Sequence, residues 1–423
     1  MSRPPGWRTE ILAGITTFFT MAYIVVVNPA ILSTPGTGLP FSGALTATVL
    51  VCFVMTLAMG LYARLPFAVA PGMGINAFFT FSLVLGKQIP WQTALGLVFL
   101  SGVAQVLVST TPLREAVARA IPSNLRVAAA SGIGVFLTFI GLKNAGLVVA
   151  DPVTFVKLGT LGGPAVAAIA GLALTVFLMH RKSAFAFLAG IGAVTAAAWL
   201  KGWIRPPDSL LSAPDFSLIG TLNVRDALKL SLVPALISMI FTDLFDSIST
   251  FIGVSQAGGL LDSRGQPKRL REGLIVDAFA SLVSGPAGTS SATTYIESSA
   301  GIEMGGRTGL TAIATALCFL PCFFLAPLAG MVPAYATAPV LILVGALMFR
   351  SVRELELSRI EDAVPAFLAI VLIPLTFSIT QGILWGFISH AGLYLLCGRG
   401  REVSPALYAL ALVSAALLWL EHA

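Results

Sequence analysis

The chain has 423 residues, of which 57% are hydrophobic and only 10% charged, and its mean hydropathy is +0.92. Soluble domains carry about 25% charged residues, so this composition excludes a chain that turns its whole surface to water. The formal net charge of +6 does not point to nucleic acid, because most of the cations fall in short loops between apolar runs, where they report membrane orientation.

Apolar runs long enough to cross a bilayer, which takes about 20 residues, recur along the whole length. None alternates strictly between polar and apolar residues, as a barrel strand does, so the predicted fold class is an all-α polytopic membrane protein. Segments 1–7 are read at about residues 10–32, 42–62, 66–86, 91–111, 124–147, 162–179 and 183–203. After a polar stretch at 204–226, segments 8–14 follow at about 228–254, 270–284, 286–303, 307–329, 335–349, 361–378 and 381–397. Residues 404–421 form a further span or an interfacial helix. No cleavage motif follows the short polar stretch Met1–Thr9, so no cleavable signal peptide is expected. With the N-terminus in the cytoplasm, 18 of the 25 lysines and arginines fall on the inner side, which supports that orientation. The loop 262–269 serves as an orientation signal. Cys52, Cys318, Cys322 and Cys397 lie in apolar runs and are read as small buried hydrophobic residues, not disulfides or metal ligands.

The two halves resemble each other. Phe19-Thr20 in segment 1 matches Phe241-Thr242 in segment 8, and the stretch Val69–Gly74 that opens segment 3 matches Gly285–Ser290 at segment 10. Seven segments per half is an odd number, so the second copy is expected to be inverted. Segments interrupted by glycine and proline at matching positions of inverted repeats mark a binding site near the midplane.

Four acidic residues lie deep in apolar runs: Asp243, Asp246, Asp277 and Glu297. Each costs roughly 2.5–3.5 kcal/mol at a bilayer centre, so each needs a partner, a water-filled cavity or a proton. Asp243 and Asp246 are three apart on one helix face, an arrangement suited to holding a proton. The stretch before Glu297 is rich in Ser, Thr and Gly and is expected to enter the membrane extended. A half-helix starting near Tyr295 would place Glu297 in its first turn, able to accept hydrogen bonds from the N–H groups of a heterocycle. Asn76, at the start of the segment 3 helix, offers both donors and an acceptor. Phe18, Phe19, Phe78, Phe79, Phe245 and Tyr295 are the aromatic residues placed to stack on a planar solute. Asp277 serves equally well as a structural partner between the repeats.

Gly14–Pro29, Ala70–Phe79, Phe241–Ser247 and Gly288–Ser298 resemble, in order, the signatures of the adenine/guanine/hypoxanthine permease branch of the nucleobase–ascorbate transporter superfamily. The resemblance runs from about residue 8 to 397. It implies a uracil-permease-like fold of fourteen transmembrane segments in two inverted sevens, with short strands opening segments 3 and 10. A core domain (1–111 and 227–330) would carry substrate against a gate domain (112–226 and 331–423). By position, Asn76, Asp243 and Glu297, with Thr242, Phe78 and Tyr295, would bind a purine base, and Asp243, Asp246 and Glu297 would serve proton coupling. The implied activity is proton symport across the inner membrane, surrounded by lipid and without cofactor, metal or nucleic acid; a homodimer through the gate domain is expected. The uracil-type branch carries a glutamate in segment 8 with a histidine a turn later. Asp243 followed by Ser247 departs from that pattern and favours purines.

Two rivals remain. A transporter of uracil, xanthine or an anion could use the same fold, but an anion site would need cations where this chain has carboxylates. An intramembrane aspartyl protease needs its two aspartates on facing helices, and the histidines His180, His390 and His422 form no metal motif.

Overall fold

The computed structural model describes residues 6–111, 122–257, 259–261 and 269–422. Loop residues 262–268 and the side chain of Phe245 therefore lie outside the described residues. Among those described, eight helices are long and apolar enough to cross a membrane by length and composition, including Trp7–Leu32, Phe41–Ala63, Trp91–Thr110, Ser123–Asn144 and Ile379–Leu396. Shorter apolar helices cover Met73–Gly86, Ala186–Leu200, Gly309–Phe324 and Pro405–Trp419. The all-α polytopic class is borne out.

Strands do open segments 3 and 10. Strand β1 (Val69–Pro71) pairs antiparallel with the strand Ala292–Thr294, in the register Val69↔Thr294, Ala70↔Thr293, Pro71↔Ala292. Extended backbone at membrane depth survives only when its polar groups are satisfied by protein, and here side chains do that work. Val69 N and O both bond Thr56 Oγ1 (2.9 and 3.0 Å), Ala68 N donates to Ser298 Oγ (3.0 Å), and Thr294 N donates to Asp277 Oδ1 (2.7 Å). The Tyr295 hydroxyl donates to Pro71 O (2.6 Å). The Thr- and Ser-rich sequence thus supplies an edge made of hydroxyls.

Segment 9 differs from its predicted boundary. The helix Leu270–Ala287 runs through Pro286 and stops at Gly288, whose φ is +96°. A proline in the last turn removes a single intrahelical bond, whereas the left-handed residue after it ends the helix. Segment 10 consequently begins after this point, as backbone leading into the strand at Ala292. Segment 1 also bends. At Ala22–Tyr23 the helix tightens, with Val25 N bonding Ala22 O (3.1 Å), and Tyr23 turns into the interior.

The helices pack in two groups. Segments 1, 2, 10 and 11 pack on one another, as do segments 4, 8 and 9; segments 5, 12, 13 and 14 form another set, with 6 and 7 against 12. Close approach of segments 5 and 12 depends on two facing glycines: a Cβ on Gly134 would lie 2.6 Å from Gly345 O. Between the groups the contacts are sparse and run chiefly through segments 1, 3 and 8. Outside the membrane segments, the 204–223 stretch is tied to segment 2 by Asp215, which accepts from Ser42 Oγ at 2.6 Å. That hydrogen bond holds the Asp215 carboxyl below the usual carboxylate range. Of the cysteines, Cys52 and Cys322 are buried and Cys318 half-buried, but Cys397 is exposed because it caps the end of segment 14.

Candidate substrate site

A cavity of about 160 Å³ lies beside the strand pair. Its walls are Tyr23 of segment 1, Gly72–Gly74 at the start of the segment 3 helix, Thr293–Glu297 of segment 10, Asp246 and Thr250 of segment 8, and Val344, Leu347 and Met348 of segment 12. A second cavity of about 70 Å³ shares Gly74, Asp246 and Met348 with the first. It continues past Phe241 and Thr242 to Arg126 and Ile133 of segment 5 and Phe387 of segment 14. Both cavities lie where the two helix groups face each other.

Glu297 is half-buried and precedes the short helix Ser298–Glu303, rather than sitting in the first turn of a helix from Tyr295. The shift follows from Tyr295 still continuing the strand pairing: its N–H donates to Ala68 O at 2.9 Å. Glu297 Oε1 accepts from the Tyr23 hydroxyl at 2.6 Å. An ionised carboxylate has about four acceptor positions, so Glu297 keeps capacity for donors of a bound solute. Tyr23 carries no acidic or basic charge, and its one sequence signal was a polar tip in the middle of an apolar run.

The segment 8 carboxylates diverge although they are three apart. Asp243 is fully buried and accepts from Gln105, from Ser281 Oγ at 2.7 Å and from Ser291. Asp246 is half-buried and lines both cavities, and its Oδ2 lies 3.7 Å from the position a Cβ on Gly72 would take. A separation of three residues is about 60° around a helix of 3.6 residues per turn, enough for the two to fall on either side of the strand Ala292–Thr294. Asp277 completes the enclosure: it accepts from Ser247, from Thr293 Oγ1 (3.2 Å) and from both Thr294 N (2.7 Å) and Thr294 Oγ1 (3.0 Å). Asp243 and Asp277 therefore act as acceptors that hold the strand from behind, while Asp246 and Glu297 stand in front of it.

Of the six side chains that sequence places on the solute, Thr242, Tyr295 and Glu297 line a cavity. Asn76 is buried and accepts from Ser290, tying the two repeats together. Phe78 is 1% exposed and belongs to the hydrophobic core. Phe18 and Phe19 pack on Phe319 and Phe185. Gln105, Ser281 and Tyr23 were missed; Gln105 could have been noticed as a lone amide in the apolar run of segment 4.

Paired half-segments meeting at a cavity with two carboxylates in its wall, between two helix groups, define a multi-pass membrane transporter. The fold is similar to that of the transmembrane domain of a cyanobacterium bicarbonate transporter BicA, with a TM-score of 0.64 at 17% identity, over 90% of this chain and 97% of the other. The chain belongs to the Permease family, whose model matches residues 8–384. It is 41% identical over 409 residues to the adenine permease AdeP of Escherichia coli (strain K12), covering 96% of this chain and 91% of the relative. To the guanine/hypoxanthine permease PbuO of Bacillus subtilis (strain 168) it is 39% identical over 421 residues, covering 96% of both chains. These relatives fall in the purine permease branch to which the sequence motifs pointed, so the chain is a transporter and not an enzyme.

Proposed function

We propose that this chain imports purine bases (adenine, guanine or hypoxanthine) across the inner membrane by proton symport, with its N-terminus in the cytoplasm. The observation that carries the reading is the cavity beside the strand pair, where Glu297 and Asp246 face open space in a chain similar to adenine and guanine/hypoxanthine permeases. Glu297, held by Tyr23, accepts N–H groups of the base. Gly72–Gly74 and Thr293–Tyr295, which line the same cavity, complete the recognition, and Thr242 lines the adjoining one. Asn76 and Asp243 act through the strands they hold, Phe78 through the packing of the segment 3 helix, and one carboxylate of segment 8 carries the coupling proton.

The transport step is a movement of the core domain (1–111 and 227–330) against the gate domain (112–226 and 331–423). The sparse contact between the two helix groups supports this division. An anion as substrate is disfavoured by the two carboxylates in the cavity. The test is uptake of radiolabelled hypoxanthine by a purine-uptake-deficient host, with unlabelled adenine, guanine, xanthine and uracil as competitors. Saturable uptake with competition by purines alone is expected. Absence of uptake of any base by protein shown to be in the membrane would overturn the substrate assignment.

A further inference from the structure

The smaller cavity follows segment 5 from Leu125, near the start of that helix, to Ile133. One turn beyond Ile133, on the same helix face, Phe136 packs edge-on against Phe377 with the ring centroids 5.3 Å apart. Phe139, a turn further on, meets the same ring at 5.3 Å. Segment 5 runs from the cytoplasm to the outside in the orientation proposed above, so Phe377 covers the outer end of this cavity. It stands where segment 13 stops and the chain turns into segment 14.

Phe377 has a φ of +52°. Helices commonly end on a left-handed residue, but that residue is usually glycine or asparagine, and a bulky side chain there is strained. Strained backbone persists only where its surroundings hold it, and it clusters at switch regions. Part of that hold comes from the opposite helix group: Ser82 Oγ of segment 3 donates to Phe377 O at 2.6 Å. Lys143 Nζ of segment 5 lies 6.0 Å from the ring centroids of both Phe81 of segment 3 and Phe377, so one ammonium faces a ring from each group. Phe81 and Ser82 belong to the π-helix Phe78–Gly86, in which Lys87 N bonds Ser82 O at 3.1 Å. Such wide turns are rare and frequent at functional positions. Two irregular pieces of backbone, one from each helix group, therefore meet through a direct hydrogen bond at the outer end of the cavity.

We propose that the Ser82–Phe377 contact is the outer latch of the carrier, holding segment 3 against segment 13 while the cavity is closed to the outside. The proposal rests on the core–gate movement and the cytoplasmic N-terminus proposed above. Segment 3 travels with the core and segment 13 stays with the gate, so the hydrogen bond breaks when the carrier turns outward and forms again on its return. The left-handed turn presents the Phe377 carbonyl to Ser82, and the ring of the same residue covers the cavity. Loss of the latch therefore shifts the balance of the two states toward the outward-open one and leaves both states accessible.

The test is the rate at which a reporter cysteine, I133C, reacts with a membrane-impermeant maleimide, in a protein whose Cys318 and Cys397 are replaced by serine. Intact cells report access from outside and inside-out vesicles report access from the cytoplasm, and neither measurement depends on which solute is carried. One net hydrogen bond corresponds to roughly a two- to tenfold change in an equilibrium, so S82A should raise the rate in intact cells by about that factor without raising it in vesicles. S82T keeps the hydroxyl and should react at the parent rate. F377G retains the left-handed turn and its carbonyl but loses the ring, and should also react faster from outside; if it does not reach the membrane, the S82A and S82T pair decides. An unchanged outside rate in S82A, the same rise in S82T, or a rise from both sides, which means loosened packing, overturns the latch. Faster reaction of the unlatched-variant parent, I133C alone, from outside than from the cytoplasm overturns the orientation on which the proposal rests, an outcome distinct from any difference among the latch variants.

Discussion

Replacing Tyr23 by phenylalanine removes one hydroxyl and leaves the ring, which packs 4.8 Å from Phe187, in place. The lost interaction is the 2.6 Å hydrogen bond to Glu297 Oε1. Hydrogen bonds to charged groups contribute about 1.5–3 kcal/mol. Glu297 is half-buried and lines an open cavity, so water replaces part of the lost donor and the lower end of that range applies. Since about 1.4 kcal/mol is a tenfold change in an equilibrium constant, Tyr23→Phe should raise the apparent KM for hypoxanthine about tenfold with unchanged expression. Initial-rate uptake over a range of base concentrations measures it, and Glu297→Ala in parallel should abolish uptake. An unchanged KM in Tyr23→Phe would mean that Tyr23 does not position the carboxylate for the base. Uptake by Glu297→Ala at the wild-type rate would remove Glu297 from the site altogether.

Asp277→Ala should destabilise the strand pair most, because Thr294 N cannot rotate away from its missing acceptor; at about 1–3 kcal/mol for each buried group left unsatisfied, a clear fall in thermal stability in detergent is expected, with Asp277→Asn milder. Gly288→Ala forces a side chain onto φ +96° and places its Cβ 2.4 Å from Leu218 Cβ. It should cost about 2 kcal/mol or more, read as a lower melting temperature and reduced yield of folded protein. Asp246→Asn should flatten the pH dependence of uptake: wild-type import falls as external pH rises, because fewer carboxyls are reloaded outside, and the amide has no proton to lose. A wild-type pH profile in Asp246→Asn would assign the proton elsewhere.

The membrane segments and the paired breaks at segments 3 and 10 were legible because hydrophobicity, glycine and proline act locally. The strand after Gly288 was legible for a related reason: Ser290, Ser291, Thr293 and Thr294 are poor helix formers whose hydroxyls can satisfy extended backbone. What could not be read was which way each buried polar group turns. Asp243 and Asp246 share a helix face by spacing, yet a rotation of about 60° sends one behind the strand and the other into the cavity. Asn76 looked like a recognition amide, but its acceptor is taken by Ser290 from the other repeat, a contact 214 residues away in sequence. Pro286 suggested a segment boundary, whereas Gly288 set it, because the left-handed residue ends a helix more firmly than a proline in its last turn.

The central claim, that a purine base and a proton enter together through the Glu297 cavity, is tested most directly by proton flux in proteoliposomes that hold a pH-sensitive dye. Adding hypoxanthine outside should acidify the lumen, saturably and at a rate that follows base entry. Uracil should give no signal, and neither should Glu297→Ala protein. Base entry without acidification would contradict proton symport, and acidification that persists in Glu297→Ala would contradict the site.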